Sequence, residues 1–89
     1  LEGEHFTVTL DSPARTRRVA VVFDDSKEYP HGAVLEASAD GKTYYKVADE
    51  VKGGRMEARF KTQRKVKSLR LRLTREQQNR LTIREFYFR

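Results

Sequence analysis

The sequence predicts an all-β domain, an antiparallel sandwich or barrel of about seven strands, and three observations lead there. Apolar and polar residues alternate with a period of two, most plainly in Leu69-Arg70-Leu71-Arg72-Leu73, where the leucines point to one face and the arginines to the other. Asp40-Gly41 stands between two strand-like runs, the strongest short-range hairpin signal. No segment of helical length carries apolar residues at i, i+3, i+4 and i+7, the pattern a packed helix needs; only residues 75–80 offer a turn of helix.

In chain order, Phe6-Thr7-Val8-Thr9-Leu10 alternates and reads as a strand, and residues 19–23 form an apolar, β-branched run of strand length. Residues 33–38 and 43–47 flank the Asp40-Gly41 turn as a hairpin. Tyr44 and Tyr45 fall in its second strand, so one is expected in the core and the other on the surface. Residues 56–60, 69–73 and 81–88 complete the set. In the last run Ile83 precedes Phe86 by three positions and Phe88 by five. Strict alternation would put Ile83 on the wrong face, so a β-bulge near Arg84-Glu85 is expected to bring all three to the core.

Eighty-nine residues make one domain, residues 1–89, with a small core. No apolar run approaches the roughly 20 residues of a membrane-spanning helix, so no membrane span is expected. The start, Leu1-Glu2-Gly3-Glu4, lacks the basic segment and apolar stretch of a signal peptide. With no cysteine, disulfides and cysteine-based zinc sites are excluded. A net charge of +6 raises the question of a polyanionic partner.

Three stretches together resemble the discoidin, or coagulation factor 5/8 type C, family of galactose-binding-like β-sandwiches. The first is Val21-Val22-Phe23-Asp24-Asp25-Ser26-Lys27-Glu28-Tyr29-Pro30-His31-Gly32, similar to a strand and "YPRG"-type loop of bacterial members, with His31 in place of Arg. The second, Leu35-Glu36-Ala37-Ser38-Ala39-Asp40-Gly41-Lys42-Thr43-Tyr44, is similar to the family's "E-x-S-x-D-G-x-x-W" hairpin with Tyr44 at the aromatic position. The third is Leu69-Arg70-Leu71 followed by Leu81-Thr82-Ile83-Arg84-Glu85-Phe86-Tyr87-Phe88, similar to the closing "W-x-S-I-x-E-[IL]-x-V-Y" segment. The resemblance covers about residues 6–88. It implies a sandwich of jelly-roll type that is the C-terminal part of a larger secreted, periplasmic or cell-surface bacterial protein, such as a glycoside hydrolase. The N-terminal segment that often carries a structural calcium site in this family has no counterpart here, so no metal is carried over.

Sequentially joined antiparallel strands place successive loops at alternate ends of a sandwich. One end collects 11–17, the 40–41 turn and 61–65; the other collects 24–32, 48–55 and 74–80. With adjoining strand-start residues, the first pole holds Arg15, Arg17, Arg18, Lys42, Lys61, Arg64, Lys65 and Lys67 against Asp11 and Asp40. The second sets Lys27, Lys52, Arg55, Arg75 and Arg80 against Asp24, Asp25, Glu28, Asp49, Glu50 and Glu76. The near-neutral pole suits a sugar, whose hydroxyls need mixed donors and acceptors and whose C–H face needs an apolar surface. The expected carbohydrate site there is Asp24, Glu28, Tyr29 and His31, with Gln78, Asn79 and Arg80 opposite. Tyr29 is the one aromatic in those loops, and a Tyr-Pro turn packing on the sandwich edge accounts for it equally well. The alternative is a polyanion- or protein-interaction module using Arg15, Arg17, Arg18, Lys61, Arg64, Lys65 and Lys67; a third reading is a structural spacer that binds nothing. Asp24-Asp25 offers oxygens to calcium, but adjacent loop carboxylates more often cap turns, so no cofactor and no metal are assigned.

Catalysis has little to draw on. His5 and His31 are the only histidines, and neither a G-x-S-x-G elbow nor a phosphate loop is present. The residues therefore point to a non-catalytic binding module, expected to be monomeric and to take a carbohydrate, with nucleic acid not expected; the resemblance adds neighbouring domains of a parent chain as further partners.

Overall fold

The computed structural model describes residues 5–23, 32–74 and 83–89. They form five strands, β1 (His5–Phe23), β2 (Ala33–Ser38), β3 (Tyr45–Ala48), β4 (Arg55–Leu73) and β5 (Ile83–Phe88). All pairings are antiparallel, in the order β3-β2-β4-β1-β5.

About seven strands were expected, and the difference has a definite origin. Residues 6–10 and 19–23 are the two halves of β1, and 56–60 and 69–73 are the two halves of β4. The stretches 11–17 and 61–65, expected as loops, continue as strand because they pair with each other: Ala14 with Val66, Arg15 with Lys65, Thr16 with Arg64. Two reciprocal irregularities bend the ribbon. Residues 10–13 stand opposite Lys67 alone, and residues 60–63 opposite Arg17 alone. Extra residues on one strand bend and twist it, and Pro13, which has no N–H to give a ladder, falls within the first.

The bend folds one continuous sheet into two layers. The front layer holds β3, β2, the second half of β4 and the first half of β1; the back layer holds the first half of β4, the second half of β1 and β5. Cross-strand rows face inward from each: Leu35, Leu71 and Phe6, then Ala37, Leu69 and Val8 in front; Met56, Val21 and Phe86, then Ala58, Val19 and Phe88 behind. One apolar cluster joins Val21, Phe23 and Met56 to Ala33, Leu35, Leu71 and Leu73, and a second joins Val19 and Ala58 to Ala37, Val66 and Leu69. Both clusters unite the layers, so hydrophobic burial holds the fold closed.

The closing strand carries the expected bulge. Val22 pairs with Glu85 and Phe23 with Ile83, leaving Arg84 unpaired. Ile83, Phe86 and Phe88 all pack on the core clusters. The hairpin is present with a longer connection than a two-residue turn: β2 ends at Ser38 and β3 begins at Tyr45. Gly41 takes φ +80, a conformation that disfavours a side chain. Asp40 fixes the turn, one carboxylate oxygen accepting from the N–H groups of Lys42 (2.8 Å) and Thr43 (3.0 Å) and from the Ser38 hydroxyl (2.9 Å).

Candidate functional site

At the near-neutral pole the backbone gathers the ends of three connections. The Phe23 N–H donates to the Gly54 carbonyl (2.9 Å), and Phe23 is the ladder partner of Ile83. The Thr74 N–H donates to the Gly32 carbonyl (3.0 Å). Both expected sugar-contacting segments therefore leave and rejoin the described residues at adjacent points. Asp24, Glu28, Tyr29, His31, Gln78, Asn79 and Arg80 themselves lie outside the described residues, as do Asp25 and the turn at 75–80.

The 48–55 connection, assigned to this pole from the sequence, is described in full. Lys52 and Arg55 exchange backbone hydrogen bonds (2.8 and 3.2 Å) around Gly53 and Gly54. Both glycines have positive φ, +60 and +74, as a type I′ turn requires. Beside it opens a cleft of about 340 Å³ lined by Val47, Ala48, Asp49, Glu50, Lys52, Arg55 and Glu57. Val47 and Ala48 supply an apolar patch, and the five ionised side chains supply acceptors and donors. They are loosely tied in pairs, Asp49 to Lys46 (3.2 Å), Glu50 to Lys52 (3.6 Å) and Glu57 to Arg55 (3.9 Å). The Asp49 and Glu50 pairs are exposed and contribute little to stability, whereas Glu57 is more enclosed and is also held by Arg18 and Arg59. These cleft residues were missing from the expected site; their signal was the charged flanks of Gly53-Gly54, which lack the aromatic that singled out Tyr29.

At the opposite end the register brings some of the expected basic residues together, on strands instead of loops. Arg15 and Lys65 are direct cross-strand partners, with Thr16 and Arg64 next to them. Lys67 packs beside Gly41 of the hairpin turn. Arg64 is fixed across the end of the core, its guanidinium 4.5 Å from the Phe60 ring centre and 5.6 Å from that of Tyr45. The end of β5 is tied in here: the N–H groups of Arg17 (2.6 Å) and Arg18 (2.7 Å) donate to the Arg89 carbonyl, which also accepts from the buried Thr16 hydroxyl. Arg18 belongs functionally to the back layer, where it pairs with Glu57 (3.5 Å). Arg17 and Lys61 are exposed.

The outer face of the front layer carries a third polar group. Glu36 is 7% exposed and accepts from Arg70 Nε (2.9 Å) and Arg72 Nε (3.2 Å). Arg70 in turn lies over the Tyr44 ring, 3.9 Å from its centre, and the Tyr44 hydroxyl meets Ser68 Oγ at 2.7 Å. The expectation of one core and one surface tyrosine is corrected to two half-buried ones. Tyr45 packs on the second core cluster, while Tyr44 roofs the outer face, where its hydroxyl satisfies a buried serine. Among the described residues no group of three or more His, Cys, Asp or Glu side chains could hold a metal ion, and no helix is long and apolar enough to cross a membrane.

No protein-family model and no curated protein matches the chain. Among solved structures, CBM32-1 from a family 31 glycoside hydrolase from Clostridium perfringens superposes with a TM-score of 0.70. The match covers 96% of this chain and 68% of that one at 22% identity. What the two share is the fold, and the chain is accordingly an all-β antiparallel sandwich of jelly-roll type.

Proposed function

We propose that this domain is a non-catalytic carbohydrate-binding module that takes its sugar at the near-neutral pole. The observation that carries the reading is the mixed-polarity cleft of about 340 Å³ at that end, beside the point where the connections anchored at Phe23, Gly32, Thr74 and Ile83 converge. A single pyranose fits the lower end of the ~300–1,000 Å³ range of ligand pockets. Likeness in fold to a carbohydrate-binding module, CBM32-1, supports the same reading. In this reading Val47 and Ala48 meet the C–H face, Asp49, Glu50 and Glu57 accept from hydroxyls, and Lys52 and Arg55 donate. Asp24, Glu28, Tyr29 and His31, between Phe23 and Gly32, and Gln78, Asn79 and Arg80, between Thr74 and Ile83, complete the site. The domain is one module of a longer, secreted or surface-attached chain whose catalytic partner, a glycoside hydrolase, supplies the chemistry, and tethering raises local enzyme concentration on a glycan.

Lacking an aromatic platform among its described lining residues, the cleft binds weakly, with dissociation constants on the order of 0.1–1 mM. The test is an amide chemical-shift titration with galactosides, glucosides and N-acetylhexosamines. Shifts are expected at residues 47–57 and at Phe23, Gly32, Thr74 and Ile83, insensitive to salt because neutral sugars release no counterions. Silence toward every one of these sugars would overturn the reading.

A further inference from the structure

Among the described residues, two groups of neighbouring cations are each held together by a carboxylate. Arg70 and Arg72 share Glu36, at 2.9 and 3.2 Å. Arg18 and Arg59, direct cross-strand partners on β1 and β4, are bridged by Glu57, at 3.5 and 3.3 Å, which also reaches Arg55 at 3.9 Å. Arg15 and Lys65 are likewise direct cross-strand partners, yet no carboxylate among the described residues pairs with either. Side chains directly opposite in an antiparallel pair have Cβ atoms only about 4.5–5.5 Å apart, and like charges there repel. Arg17, Lys42 and Lys61 add exposed cations at the same pole, and Arg64 is held in place by Phe60 and Tyr45.

We propose that the Arg15–Lys65 pair, with Arg17 and Lys67 two positions along the same strands, is a second binding surface, taking the sulfate or carboxylate groups of an acidic polysaccharide. A ligand anion takes, between Arg15 and Lys65, the part that Glu57 plays between Arg18 and Arg59. Arginine supplies paired donors matched to planar or tetrahedral oxyanions, and lysine a mobile point charge. Nucleic acid is less well served. Binding to single strands relies on open aromatic faces for base stacking, and the two rings of this pole, Phe60 and Tyr45, are covered by the Arg64 guanidinium. The choice of a polysaccharide rests also on the carbohydrate-binding reading above; the anion site itself does not.

The probes are a sulfated heparin-type hexasaccharide, a hexagalacturonate and a hexathymidylate, each titrated into the domain and into the Arg15→Ser/Lys65→Ser variant, with amide shifts and thermal unfolding recorded. At least one acidic saccharide is expected to shift residues 14–17 and 64–67, to weaken roughly tenfold or more between 50 and 200 mM salt as for about three ionic contacts, and to bind the variant at least tenfold less well. The unliganded variant, relieved of the repulsion, should melt no lower than the parent at low salt, which separates loss of binding from loss of folding. Tighter binding of hexathymidylate than of either saccharide would overturn the polysaccharide assignment. Unchanged affinity in the variant, shifts centred on Arg70 and Arg72, or no binding of any probe would overturn the site. Neutral-sugar shifts at the cleft are read separately, so failure of one surface is distinguishable from failure of the other.

Discussion

Replacing Leu71 and Arg72 one at a time gives the sharpest test of the fold, because the two are adjacent in β4 and face opposite ways. Leu71 is fully buried between Leu35 and Phe6 in the front-layer row. Leu71→Ala removes three side-chain carbons from a site walled by the opposite layer, which cannot collapse far because the bent ribbon fixes its distance. The expected cost is the upper part of the usual range for such truncations, about 3–5 kcal/mol of the ~5–15 kcal/mol a domain possesses. Arg72 has a side chain 41% exposed and shares Glu36 with Arg70. After Arg72→Ala the buried carboxylate retains its 2.9 Å bond to Arg70 but loses two longer ones from Arg72, at 3.2 and 3.5 Å, so the loss should be about 1–2 kcal/mol, well below that of Leu71→Ala. Urea unfolding followed by far-UV circular dichroism measures both, with tyrosine fluorescence as a second probe undisturbed by any tryptophan. Similar losses for the two variants, or a larger one for Arg72→Ala, would refute the register of β4.

Two further predictions concern local devices. Ile83→Ala should destabilise by about 1 kcal/mol or more while Arg84→Ala costs less than about 0.5 kcal/mol, because the bulge turns Ile83 to the core and leaves Arg84 exposed; the reverse order in thermal melts would deny the bulge. Hydrogen bonds from the N–H groups of Thr43 and Lys42, then from the Ser38 hydroxyl, hold the Asp40 carboxyl down to about 2 from 3.8. A depressed carboxyl favours the folded turn above the unfolded value and loses that contribution as pH falls from about 4 toward 2. A carbon-detected titration of Asp40 with a midpoint near 4 would contradict the turn geometry.

Strand positions and the core face were legible in the sequence because period-two alternation depends only on which residues meet water, as in residues 69–73 and in the bulged spacing of Ile83, Phe86 and Phe88. The continuity of β1 and β4 was not. Asp11-Ser12-Pro13 has the composition of a turn, and only the pairing of residues 14–16 with 64–66, far away in sequence, shows that it is a bend within a strand. Loop parity grouped the cations of residues 11–17 and 61–65, and the bent ribbon pairs Arg15 with Lys65 by a different route, strand against strand, while Arg18 pairs with Glu57 instead. The most telling feature of that end, the Arg15–Lys65 opposition, needs a register that spacing alone does not fix. The cleft at 47–57 escaped notice for a related reason: its chemistry lies in ordinary charged residues, and their convergence is a property of the Gly53-Gly54 turn and the neighbouring β3 edge.

The order β3-β2-β4-β1-β5 sets a condition on how the domain is made. β1 is the earliest strand to be synthesised, yet both its neighbours come late: Val19 pairs with Ala58 on one side and with Phe88 on the other. Until β5 is synthesised, the apolar run 19–23 has an open hydrogen-bonding edge and half a core against it. Such non-local closure is slow, on the order of milliseconds to seconds for β topologies, and an exposed β-branched edge recruits other chains in the meantime. Loss of Phe86 and Phe88 from β5 would therefore be felt first as aggregation during expression, before any deficit in ligand binding could be measured.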